Sequence, residues 1–324
     1  MNTKKIKYFI IAVIFVSAIF AGCSGEWGNN GKISVVCTTF PQYDWARQII
    51  GEENTDKFDL TFLINSHVDL HSYNPSVPDI AKIKKCDVFI YVGGHSDEWV
   101  DEVLKDANPD IKLINLIEIL EDMGLIKSDE HEYEDDDHDG HEDEDEEHDE
   151  HIWLSLRNAQ LLCAEIAEVI SETDPENAQS YKNNLNAYTA KLSALDLEYQ
   201  AAVDAAAFDS LVFADRFPFL YLTEDYSLNY YAAFHGCSAE TEAGFGTIVS
   251  LANHINQLGL NAVMVTESSD QSIAKTVISE TQNKNQKILV LDAVQSVTSA
   301  DDKNGVTYLS IMENNLNVLK EALN

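Results

Sequence analysis

Short apolar runs alternate with amphipathic stretches along most of this chain. From residue 33, β-branched and aromatic residues gather at 33–38, 58–63, 87–92 and 111–116, a pattern that predicts strands. Helical spacing falls between them, including 43–50 and 78–85. The same rhythm returns after residue 210, with strands expected over 211–214, 230–234, 262–266 and 288–292 and a helix over 248–257. Strand and helix in alternation implies parallel sheet with helices on its faces, so the chain reads as α/β with two similar lobes. One long helical period separates them. Asp174 and Pro175 supply an N-cap and a first helical position. Tyr181, Leu185, Tyr188, Leu192, Leu195, Tyr199 and Val203 then recur on one face. A helix over 175–206 would be roughly 48 Å long at 1.5 Å per residue, a stiff connector that limits hinge motion.

Two stretches break the rhythm. At the start, Lys4, Lys5 and Lys7 precede an apolar run over 8–21 and then Gly22 and Cys23, the pattern of an export signal. That run is short of the roughly 20 residues a spanning helix needs. Phe20-Ala21-Gly22-Cys23 resembles the bacterial lipoprotein box, which implies cleavage before Cys23 and acylation of it; two or more acyl chains hold a protein firmly on a membrane. The expected organisation is a signal peptide over 1–22, a flexible tether over 23–32, an N-terminal lobe over 33–173, a linker helix over 174–207 and a C-terminal lobe over 208–324.

The second stretch is an acidic, histidine-bearing loop over 128–150. From Asp129 to Glu150 it holds 16 carboxylates and four histidines, His131, His138, His141 and His148, with no Lys or Arg. Such a tract cannot build a core and is expected to be disordered without a counter-ion. Imidazoles among carboxylates suit zinc and other divalent transition metals, so these four read as weak loop sites. The formal net charge is −35, and setting the loop aside leaves the remainder acidic as well. That argues against nucleic acid as a partner and for a field that concentrates cations.

Outside the loop, His71 lies between a predicted strand and the helix near Pro78, and Asp292 and Asp215 each end a predicted strand, where ligands bind in parallel α/β sheets. His151 stands where the acidic tract gives way to Ile-Trp-Leu. His254 falls in a predicted helix and reads as structural. His95 and Ser96 follow Gly93-Gly94, but the segment lacks the closing glycine of a nucleophile elbow. Cys37, Cys86, Cys163 and Cys237 each stand alone and read as small buried side chains.

From residue 33 to the end, the chain resembles the solute-binding lipoproteins of zinc and manganese ABC importers. HVDLHSYNP from His67 matches the family pattern Gly-x-Glu-Pro-His-x-Tyr-x-Pro, with Asp69 for Glu, and implies His71 as a metal ligand. DEHIWLS matches Asp-Pro-His-x-Trp-Leu and implies His151. LDAVQS matches the C-terminal Asp-Ser and implies Asp292, while YLSIMENNL from Tyr308 matches the closing pattern Tyr-x-x-x-Met-x-x-Asn-Leu. At the position of the family's third ligand, anchored on Phe217 and Leu220, this chain has Ala214, which cannot bind metal. Asp215 is the expected substitute and His235 the alternative.

The resemblance implies a C-shaped clamp that captures extracytoplasmic Zn(II), or Mn(II), between two lobes. The chain would act as a lipid-anchored monomer and deliver the ion to an ABC permease with its ATPase subunit. No Gly-x-x-x-x-Gly-Lys-Ser/Thr loop occurs, so the ATPase must be another chain. The competing readings are a surface metal buffer or adhesin working through its loop, and a zinc-dependent hydrolase, which lacks His-Glu-x-x-His.

Overall fold

All eight predicted strands form, and they sort into two sheets with one order of connection. A computed structural model of the chain describes residues 31–66, 68, 70–128, 148–234 and 243–324. The first sheet contains β1 (Ile33–Cys37), β2 (Phe58–Phe62), β3 (Val88–Tyr91) and β4 (Lys112–Asn115) in the order β2-β1-β3-β4. The second contains β5 (Ser210–Phe213), β6 (Asn229–Ala232), β7 (Ala262–Val265) and β8 (Lys287–Val290) in the order β6-β5-β7-β8. Every pairing is parallel, with Val35 opposite Leu60 and Val88 in the first sheet and Phe213 opposite Ala232 and Met264 in the second. Central strands are buried on both faces, so they read as continuous apolar runs; β5 and β7 are buried throughout. The winding reverses between β1 and β3 and again between β5 and β7, which opens a crevice at the carboxyl ends of each sheet.

The helices are α1 (Phe40–Ile50), α2 (Val77–Ile83), α3 (Trp99–Leu104), α4 (Leu116–Asp122), α5 (Leu156–Thr173), α6 (Ala178–Asp204), α7 (Leu220–Asp225), α8 (Phe245–Leu258), α9 (Ser272–Glu280), α10 (Ser299–Lys303) and α11 (Tyr308–Ala322). Inner faces of both sheets share one core with α1, α5, α6 and α11, running through Trp45, Tyr181, Leu192, Tyr199, Phe213 and Tyr308. Smaller cores sit on the outer faces, Phe89 with Ile83 and Val100 on the first sheet and Val263 with Leu251 and Val277 on the second. Residues 32–324 therefore form one compact unit rather than two separable bodies.

The long helix differs from the expected span at its start. Pro175–Asn177 is a 3-10 turn, and regular α6 begins at Ala178 and runs 27 residues, roughly 40 Å. Asp174 does not cap a backbone N–H; its carboxylate accepts from the Tyr181 hydroxyl at 2.6 Å and the Asn177 amide at 2.7 Å. At its far end, the Tyr199 hydroxyl donates to the Met312 carbonyl at 2.6 Å and fastens α6 to α11.

Among the described residues, no helix is long and apolar enough to cross a membrane. The expected signal peptide and Cys23 lie outside them. Cys37, Cys86 and Cys163 are buried free thiols, while Cys237 lies outside the described residues. The His254 ring stacks on Tyr231 with centroids 3.7 Å apart, a packing role.

Candidate metal centre

The carboxyl ends of the first sheet assemble a pair of imidazoles. Beyond β2 the chain makes a short 3-10 turn, Leu70–Ser72, that carries His71. Beyond β3 it passes Gly93 and Gly94, both at positive φ, into a second turn, His95–Asp97. The buried Asp97 carboxyl closes this turn by accepting the backbone N–H groups of Val92 and Gly93 at 2.9 and 3.0 Å. Burial pushes it up to about 7 against those two bonds, and nearby Glu150 adds to the rise. The turn presents the Ser96 hydroxyl 2.6 Å from His71 Nδ1.

His151 reaches the same place from the segment preceding α5 and is 1% exposed. Its Nδ1 lies 2.9 Å from Asp149 Oδ1, which also accepts the His151 backbone N–H at 2.7 Å. With a carboxylate on Nδ1, the neutral ring carries its proton there and its lone pair on Nε2, the form that binds a metal. The His71 and His151 rings stand 5.5 Å apart between centroids, tilted by 53°.

The second sheet contributes carboxylates. Asp292 follows β8, and its backbone is clamped from both sides by one side chain: its N–H donates to Asn315 Oδ1 at 2.9 Å, and Asn315 Nδ2 donates to its carbonyl at 2.8 Å. Asp292 Oδ1 accepts the N–H of Val294 at 2.7 Å, and Val294 holds a φ of 60°, a strained value for a β-branched residue. Glu267, beyond β7, accepts the Ala293 N–H at 2.8 Å. Burial first, then the Glu267 charge, pushes Asp292 up to about 7. A poorly hydrated carboxylate with a second one beside it makes a place that favours a cation.

Trp153 joins the two halves. Its ring packs edge-on against His151 at 5.3 Å, its Nε1 donates to the Ala293 carbonyl at 2.9 Å, and its own carbonyl accepts from the Tyr308 hydroxyl at 2.6 Å. The closing Tyr-x-x-x-Met-x-x-Asn pattern is thereby explained as a frame. Tyr308 holds the segment of His151, Asn315 holds Asp292, and Met312 offers its carbonyl to Tyr199.

The structure thus brings His71 and His151 together and sets Asp292 on the same frame. Among the described residues no three His, Cys, Asp or Glu side chains converge closely enough to hold an ion as they stand. Asp215 follows β5 as expected, but its carboxylate accepts from Thr266 N and Oγ1 at 3.1 and 2.9 Å and from Arg216 N at 2.8 Å, bracing the β5 and β7 ends. His235, His67, Asp69, His131, His138 and His141 lie outside the described residues.

The acidic tract is not uniform. Its ends are pinned where Ser128 pairs with His148 in an antiparallel bridge, Asp149 N donates to the Lys127 carbonyl at 2.9 Å, and the Tyr221 hydroxyl spans Lys127 N and the Asp149 carbonyl. His148 Nδ1 lies 3.3 Å from Ser128 Oγ. Asp149 and Glu150, counted with the tract on composition, are buried against the two histidines. Their signal was position, two residues and one residue before His151 in the matched segment. Glu267 carried none. The Ser96, His71 and Glu150 group is not a hydrolytic relay, because Ser96 and Glu150 meet the same nitrogen of His71.

A family model described as zinc-uptake complex component A, periplasmic, matches residues 35–322. The zinc-binding lipoprotein AdcA of Streptococcus pneumoniae is 30% identical over 319 residues, 98% of this chain and 61% of that protein. The chain thus spans about 61% of the length of these AdcA relatives. The high-affinity zinc uptake system protein ZnuA of Bacillus subtilis is 28% identical over 327 residues, 100% of this chain and 99% of that one. The crystal structure of Zn(II)-bound AdcA from S. pneumoniae superposes with a TM-score of 0.71 at 28% identity, covering 90% of this chain and 58% of that chain. The metal-dependent lipoprotein YcdH from B. subtilis also gives 0.71, at 26% identity, covering 90% and 100%. A laminin-binding adhesin of Streptococcus agalactiae, 20% identical with a TM-score of 0.73 over 90% of this chain and 100% of that one, shares the fold.

Proposed function

The chain belongs to the zinc-uptake component A family of solute-binding transport proteins, and on that premise we propose that it captures Zn(II) outside the cytoplasm and hands it to an ABC permease driven by a separate ATPase subunit. The observation that carries this reading is the His71–His151 pair, whose Nδ1 atoms are engaged by Ser96 and Asp149. Asp292 supplies the third ligand from across the Trp153 frame. The remaining position falls to Asp215, which would have to exchange its bonds to Thr266 for the ion, with His235 the alternative. Two imidazoles and carboxylate suit tetrahedral zinc better than manganese, which prefers an all-oxygen octahedron. Acylated Cys23 would keep the carrier at the membrane beside its permease. The acidic tract would bind further ions weakly, since its sparse imidazoles among carboxylates match no single built cleft and ordering chain around each ion costs entropy.

Calorimetric zinc titration of protein with residues 129–147 replaced by Asn-Gly tests the reading. One tight site is expected, abolished by His71→Ala or His151→Ala and weakened severely by Asp292→Ala. In the same background, Asp215→Ala and His235→Ala identify the fourth ligand. Loss of the tight site on removing the tract alone would overturn the carrier reading in favour of a buffer that works through its loop.

A further inference from the structure

His71 differs from His151 in how its ring is held. The Nδ1 of His151 faces the Asp149 carboxylate, whereas the Nδ1 of His71 faces a hydroxyl, Ser96 Oγ at 2.6 Å, and a carboxylate oxygen, Glu150 Oε2 at 3.4 Å. A hydroxyl accepts or donates with equal ease, so Ser96 does not choose the tautomer. With Ser96 donating, the neutral ring would carry its proton on Nε2 and could not bind a metal there. An ionised carboxylate only accepts. Glu150 therefore opposes a lone pair on Nδ1 and favours a proton on it.

The surroundings of Glu150 are built to hold that oxygen in place. The side chain is 5% exposed, and its Oε1 is fixed by the Ser96 backbone N–H at 2.9 Å. Gly94 lies beneath it at a φ of +73°, where an added Cβ would come within 2.4 Å of Oε1. Among the described residues no hydrogen bond reaches Oε2, a buried acceptor that costs stability as it stands. In the motif that marks His151 the preceding residue is proline, and this chain places Glu150 there.

We infer that Glu150 is a positioning residue that holds neutral His71 in its Nδ1–H tautomer and so presents the Nε2 lone pair to the metal. The inference rests on the reading of His71 as a zinc ligand. Glu150→Gln inverts the cue: with its oxygen kept by Ser96 N–H, its NH2 group faces Nδ1 and requires an acceptor. Glu150→Ala withdraws the cue.

The test is long-range 1H–15N correlation on metal-free, 15N-labelled protein lacking 129–147, at a pH above the imidazole range, followed by zinc titration of each variant. Wild type is expected as Nδ1–H at His71, Glu150→Gln mainly as Nε2–H, and Glu150→Ala with less Nδ1–H than wild type. Glu150→Gln should weaken zinc binding about 10- to 100-fold, the usual scale for a group that orients a ligand. Ser96→Ala should keep the wild-type tautomer. A His71 that remains Nδ1–H in Glu150→Gln, or a zinc affinity that Glu150→Gln leaves unchanged, would overturn the inference. Failure of the carrier reading looks different, because zinc binding would then survive His71→Ala, whereas the tautomer is read without metal.

Discussion

Asp292→Asn should stabilise the metal-free protein at pH 8 while weakening its hold on zinc. Asn keeps the size of the side chain and can still accept the Val294 N–H through its oxygen, so the change removes little besides the charge. Burial and the Glu267 charge raise Asp292 to about 7 in the folded state, against about 3.9 for an unfolded aspartate. A carboxyl whose folded value is raised binds its proton more tightly when folded. Its ionisation therefore penalises the native state progressively as pH rises from about 4 to about 7, and the penalty is complete above that. Three units of difference correspond to at most about 4 kcal/mol at pH 8. Partial relief of this kind, about 1–3 kcal/mol, should raise the melting temperature of Asp292→Asn in chelator by several degrees. At pH 4 and below, wild-type Asp292 is already neutral and the difference should vanish. With excess zinc at pH 8 the order should reverse, because the ion stabilises the wild type through its tighter binding. Differential scanning calorimetry at the two pH values, with and without metal, reads all of this. A variant that melts below wild type in chelator at pH 8, or a gain that persists undiminished at pH 4, would refute the reasoning.

Zinc binding by the wild type should weaken as pH falls through about 7, approaching tenfold per pH unit, as Asp292 takes up its proton; competitive titration between pH 8 and pH 6 measures the slope. Deleting 129–147 should leave the tight site intact, whereas deleting 129–150 should destroy it by removing Asp149 and Glu150 from behind the histidines, a contrast that calorimetry resolves directly. Asn315→Leu should cost about 2–3 kcal/mol in urea unfolding of the metal-free protein, since it breaks both bonds to the Asp292 backbone and leaves buried polar groups unpaired. Asp149→Asn should weaken zinc about 10- to 100-fold without much loss of stability, because the Asn oxygen can still take the His151 backbone N–H while no longer holding a charge on Nδ1.

Much of the fold was legible because its strands are short, buried and separated by amphipathic helices, so period alone marks them. Each observed strand lies within a residue or two of its expected place, and β7 begins at Ala262 as read. The start of the long helix was not legible. Asp174 and Pro175 carry the usual start signal, but the Tyr181 hydroxyl and the Asn177 amide, seven and three residues on, take the carboxylate that would have capped the backbone. At the site, motif spacing pointed to His71 and His151. Asp149 and Glu150 were hidden by composition, since among 16 carboxylates nothing in a charge count separates the two that turn inward. Asn315 was marked by the closing pattern but its hold on the Asp292 backbone was not, and Glu267 owes its role to where β7 ends beside Asp292, a matter of tertiary placement that no local pattern encodes.

The pairing of Ser128 with His148 brings the two points where the acidic tract leaves and re-enters the framework side by side. Loop closure costs only about 0.6 kcal/mol for each doubling of length, so this insert can grow, shrink or be exchanged with little effect on the folded body. Natural variation in tract length and histidine content can therefore accumulate without disturbing His151. The same property marks the junction as a place to graft a fluorescent domain, where a reporter would enter and leave the scaffold at adjacent residues a few positions from the imidazoles it is meant to sense.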